Sequence, residues 1–107
     1  MEKTTLKVAR YGTSKEAPVL TVSATSRPIT VAQALVDLMR SHGTAEVHAV
    51  GAGAVNKVSR ALAIARCHLE NDGIKLAYVP QLVTVDVDGS DQTVLWISVD
   101  TYASASR

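Results

Sequence analysis

The stretch from Ala45 to Glu70 constrains this chain more than any other. Val47 and Ala49 alternate with Glu46 and His48 over Ala45 to Val50, the period of a half-buried strand. The chain then runs through Gly51-Ala52-Gly53 directly into a helical period over Ala54 to Glu70. A strand, a glycine turn and a helix packed this tightly demand a sheet with a helix lying close against it. The buried stripe of that helix is predicted to be Val55, Val58, Leu62, Ala65 and Leu69, with Asn56, Lys57, Ser59, Arg60 and Arg66 outside. Alanines 54, 61, 63 and 65 permit the close approach, and Asn71-Asp72-Gly73 ends the helix.

The same pattern precedes it once. Leu20, Val22 and Ala24 alternate with Thr21 and Ser23, predicting a strand over Val19 to Ala24. Ser26-Arg27-Pro28 breaks the strand. Thr30-Val31-Ala32-Gln33 has the form of a capping box and predicts a helix starting there. Its apolar stripe is Val31, Leu35, Leu38 and His42, and Gly43 is its left-handed cap. After the second helix, Ile74 to Val79 begins a third strand, Pro80 interrupts it, and Leu82 to Val87 continues it. Asp88-Gly89 marks a hairpin turn, and Thr93 to Tyr102 is the fourth strand. The fold class is α/β (α+β): one β-α-β-α-β-β domain, a four-stranded mixed sheet with two helices on one face. Leu6, Val8 and Tyr11 offer a short further edge strand, and Ala103 to Arg107 a frayed tail.

A length of 107 residues holds one core. Phe is absent, so aliphatic residues and Ala must fill it. The formal net charge is +1, which excludes a polybasic coat for nucleic acid. The charge is unevenly placed, however. Residues 1–80 carry +4 and residues 81–107 carry −3, so a local basic patch is allowed beside an acidic C-terminal part. A single cysteine, Cys67, excludes an internal disulfide and Cys-based zinc arrangements. With no signal-like or membrane-spanning apolar segment, a cytoplasmic protein is expected.

Gly51-Ala52-Gly53 is the feature most like a ligand loop, because a helix N-terminus offers free amides to an anion. Asn56 stands where the dinucleotide fingerprint needs a third glycine, and no Gly-Lys-Ser/Thr follows for a P-loop. Two readings stand: a tight turn that only packs the helix, or a phosphate contact. Asn56, Lys57 and Arg60 form a basic patch beside the turn, with Arg66 extending the surface and Arg27 able to join; the alternative is an ordinary solvated helix face. Histidines 42, 48 and 68 lack ligand spacing, so no metal site is expected. Asp86 to Asp91 lacks the ligand run and terminal Glu of a calcium loop and reads as a polar hairpin. Cys67 reads as a small buried residue. Val94, Trp96 and Tyr102 point away from the Leu95/Ile97/Val99 side. If the helices cover that side, these three make an apolar patch for a subunit interface or a covering N-terminal segment; the alternative is that Trp96 packs at a sheet edge.

The segments Leu20-Thr-Val-Ser-Ala24, Val31-Ala-Gln-Ala-Leu35, Ala49-Val-Gly-Ala-Gly-Ala-Val-Asn56 and Ala61-Leu-Ala-Ile-Ala-Arg66 resemble the stage V sporulation protein S family. The resemblance covers Leu20 to Val99. It implies an Alba-like domain over residues 18–102, with 1–17 as an N-terminal extension and 103–107 as a tail. It further implies a non-enzymatic bacterial protein tied to sporulation or development, without cofactors. By similarity to Alba proteins it implies a dimer that binds nucleic acid, DNA before RNA, through Arg27, Gly51, Gly53, Asn56, Lys57, Arg60 and Arg66. The interface residues are Val94, Trp96 and Tyr102. A protein partner on the N-terminal extension is a further expectation, and no membrane partner is expected. The competing function is a protein–protein assembly or scaffold module that binds no nucleic acid.

Overall fold

A computed structural model describes residues 17–102. The order is β1 (Val19–Val22), α1 (Pro28–His42), β2 (Thr44–Val50), α2 (Ala52–Glu70), β3 (Lys75–Val87) and β4 (Ser90–Tyr102). The sheet order is β1-β2-β4-β3, with β1 parallel to β2 and both remaining pairs antiparallel. This is the mixed four-stranded sheet that the alternation of periods predicts. Among the described residues no helix is long and apolar enough to cross a membrane. The proposed edge strand at Leu6 to Tyr11 and the tail from Ala103 lie outside the described residues.

Both helices pack on one sheet face. Val31, Leu35, Val36 and Met39 of α1 and Ala54, Val58, Ala61, Ala65 and Leu69 of α2 share one core. Val22, Ala45, Val47, Ala49, Ile97 and Val99 line that core from the sheet. On α2 the small residues 54, 61 and 65 are fully buried. They bring the helix axis near the sheet, which is how a core without Phe closes at interior packing density. Tyr78 on β3 ties α2 down, its hydroxyl donating to the Leu62 carbonyl at 2.8 Å. Arg40 on α1 pairs with Asp72 after α2, bracing the far end of the helix layer.

Four local expectations are corrected. Helix α1 starts at Pro28, two residues before the capping box, with Arg27 as N-cap and no side-chain cap bond. Proline at the first helical position has its φ already set and lacks the amide that would need a partner, so it outcompetes the Thr30 signal. His42 is exposed rather than part of the apolar stripe. Cys67 is exposed, because it sits on the solvent flank two positions beyond Ala65. Pro80 does not interrupt β3: it stays in register opposite Ile97. Strand β3 is the outer edge, so the missing N–H costs no ladder bond. The Asp88-Gly89 turn is as expected, with φ of 51° and 82°, the positive values of a two-residue hairpin turn.

Candidate nucleic-acid interface

The parallel pairing of β1 and β2 decides where the candidate residues meet. Val22 lies opposite Ala49, so both strands deliver their following loops at the same end of the sheet. Each loop opens a helix, and both helix N-termini therefore stand side by side. Ligands of open α/β sheets bind outside the carboxyl ends of neighbouring parallel strands for this reason.

Neither helix start is capped by a side chain, and neither first turn holds an acidic residue. Gly51 caps α2 with φ 91° and ψ 159°, a conformation glycine alone adopts without strain. Gly51, Ala52 and Gly53 are all exposed, at the positive end of the helix dipole. Gly53 is glycine for a different reason. A Cβ placed there would lie 2.8 Å from the Ala24 Cβ. The β1–α1 loop thus rests directly on the first turn of α2.

That contact brings Arg27 to the site. Its loop is folded on its own hydroxyls: the Ser23 amide donates to Ser26 Oγ at 2.9 Å, and Ser23 Oγ lies 3.0 Å from Thr25 Oγ1. Sequence reasoning places Ser23 in the strand and Ser26 in the break after it, and gives neither a binding role. The clustering of hydroxyls between a strand and a helix start is the signal that marks them, since such groups hydrogen-bond both backbone and phosphate. Asn56 and Arg60 are exposed and Lys57 is half-buried along the first turns of α2. Lys57 and Arg60 are one turn apart on the flank that Gly53 begins.

Arg66 does not join them. It follows Gly53 by 13 residues, about 20 Å along the helix. Nine positions separate it from Lys57, which puts the two on opposite flanks. Arg66 instead pairs with Glu70 at 3.1 Å and lies beside Tyr78. Burial pushes the Tyr78 hydroxyl up to about 12, with Arg66 opposing that shift and Glu70 adding to it.

An acidic arm limits the approach. Val50 ends β2 opposite Val94, so residues 90–93 of β4 and their β3 partners continue about 14 Å past that edge. The arm carries Asp86, Asp88 and Asp91, all exposed. A polyanion therefore has access from the helix side of this end and meets repulsion at the arm.

The interface candidates divide. Val94 and Trp96 are 5% and 6% exposed, buried with Val83 and Val85 in a second cluster. Tyr102 is 53% exposed. The Trp96 indole donates to Glu46 Oε1 at 2.8 Å, and His48 Nε2 lies 3.3 Å from the same oxygen. Among the described residues no group of His, Cys, Asp and Glu is placed to hold a metal ion.

The family model for stage V sporulation protein S matches residues 18–102, which is every strand and helix described here. The glycine turn, the alanine-lined α2 and the β-α-β-α-β-β order all fall within that match. The chain belongs to the stage V sporulation protein S family, and its role is sporulation-related.

Proposed function

We propose that the protein is a non-enzymatic regulator that binds nucleic acid, DNA in the first instance, and acts as a dimer. One observation carries this reading: two uncapped helix N-termini sit side by side with Arg27, Lys57 and Arg60 around them and no acidic residue in either first turn. Backbone amides and cations that converge on exposed ground suit a phosphodiester backbone. They position no nucleophile or base for chemistry. In this reading the Gly51 to Gly53 amides and the Ser23–Ser26 hydroxyls receive one phosphate, and Arg27, Lys57 and Arg60 neutralise its neighbours. Arg66, on the other flank, contributes little. The exposed Leu82 side chain (74%) on the edge strand supplies apolar surface for a second copy, and dimerisation doubles a patch too small to bind tightly alone.

The test is fluorescence anisotropy with a labelled duplex DNA and a single-stranded RNA, for the wild type, Lys57→Ala/Arg60→Ala and Arg66→Ala. The reading expects binding at low salt, a marked loss in the double variant and near wild-type affinity in Arg66→Ala. Sedimentation across concentration reports the dimer. Absence of binding to both polymers at low salt leaves the assembly-module function in its place.

A further inference from the structure

Helices α1 and α2 follow parallel strands onto one sheet face, so they run side by side in the same direction. A cavity of about 330 Å³ opens between them toward their C-terminal ends, within the size range of small-molecule sites, about 300–1,000 Å³. Gln33, Val36, Asp37 and Arg40 of α1 line it together with His68 of α2. The four α1 residues form one ridge, because positions i, i+3, i+4 and i+7 share a helix face. Val36 is buried and makes the floor, and the four polar side chains are exposed at the rim. His68 follows Gly53 by 15 residues, about 22 Å along α2, so this cavity is separate from the helix starts.

The fold does not use these polar groups. Among the described residues, the side chains of Gln33, Asp37 and His68 have no hydrogen-bond or ion-pair partner. Arg40 holds Asp72 through Nη2, which leaves other donors of its planar fork available. Asp37 and Arg40 are three residues apart and opposite in charge, yet no ion pair joins them. A carboxylate and a guanidinium thus stand about 5–6 Å apart at their Cβ atoms, both open to a ligand.

We propose that this cavity binds the guanine base of a free nucleoside. Guanine carries two adjacent donors, N1–H and the N2 amine, beside two acceptors, O6 and N7. Asp37 accepts from the donors, and Arg40 donates to O6 and N7, the pairing that a guanidinium makes with guanine. The base rests on Val36 beneath the His68 ring, and Gln33, one turn before Asp37, meets the ribose hydroxyls. Adenine presents a bare N1 lone pair to the carboxylate and an amine to the guanidinium, so the same two residues reject it. The ligand carries no phosphate, because both helices turn the negative ends of their dipoles to this side and Asp72 already pairs with Arg40. The site stands whether or not the helix starts bind nucleic acid.

The test is a titration of the full chain followed by amide chemical shifts, with guanosine, inosine, adenosine and guanosine 5′-monophosphate. Guanosine is expected to produce saturable shifts in residues 33–40 and 66–70. Inosine lacks the N2 amine and should bind about tenfold more weakly, the loss of one hydrogen bond to a charged group. Adenosine should not bind. Asp37→Asn should lose guanosine binding while its urea midpoint stays at the wild-type value. No saturable guanosine shifts at millimolar concentration, equal affinity for adenosine, or undiminished binding in Asp37→Asn overturns the proposal. So does tighter binding of the monophosphate, or guanosine shifts centred on residues 51–60. If Asp37→Asn unfolds, the base selectivity and the shift map of the wild type decide.

Discussion

Replacing Gly53 with Ala sets two effects of known size against each other. In a helix, Ala is favoured over Gly by about 1 kcal/mol. Against that gain stands the contact with Ala24, whose Cβ would lie 2.8 Å from the new methyl. Ala24 Cβ is fixed to the backbone, so relief requires the whole Ser23–Arg27 loop to move. Overpacking of this kind costs about 1–3 kcal/mol. The balance is a destabilisation of about 0–2 kcal/mol, together with a displaced loop and weakened nucleic-acid binding. Ala24→Gly makes room for the methyl, so the double variant should recover both properties. Urea unfolding of the four proteins gives a double-mutant cycle, with an expected coupling of about 1–2 kcal/mol. A Gly53→Ala protein about 1 kcal/mol more stable than wild type, with additive effects in the cycle, would refute the claim that the two loops rest on each other.

Three further outcomes are expected. Tyr78 has its pKa raised from 10.0 to about 12, chiefly by desolvation, so the folded state holds its proton more tightly than the unfolded one. That contribution to stability is full below pH 10 and is lost as pH rises through 12; urea midpoints at pH 9 and 11 should fall less in Tyr78→Phe than in wild type. Asp86→Asn/Asp88→Asn/Asp91→Asn removes the repulsion of the acidic arm and should tighten binding to duplex DNA in the anisotropy assay, most at low salt. Leu35→Ala opens a cavity at a fully buried position and should cost about 2–5 kcal/mol in denaturant unfolding.

Element order was legible because the chain switches cleanly between periods of 2 and 3.6, with glycine or Asp-Gly at the joins. What escaped depends on neighbours distant in sequence. Pro80 read as an interruption because nothing local says that its strand is the sheet edge. The capping box misled because Pro28 starts the helix earlier. Cys67 and His42 were misplaced by small errors in the angle of a helical stripe. The candidate site was legible in part. Gly51, Gly53, Lys57 and Arg60 stood out, and the separation of Arg66 follows from nine residues of helical rotation. The approach of Arg27 needed the Gly53–Ala24 contact. Glu46 was read as a wet position of an alternating strand. Its indole partner, Trp96, lies on a strand 50 positions later.

The salt dependence of binding tests the central claim most directly. Log affinity for duplex DNA, measured by anisotropy from low to moderate salt, should fall linearly with log salt, by about 0.9 for each phosphate neutralised. Arg27→Ala, Lys57→Ala and Arg60→Ala should each reduce that slope by about 0.9, and Arg66→Ala should leave it unchanged. Equal slopes in all five proteins, or no binding at the lowest salt, would contradict a phosphate site at the paired helix starts.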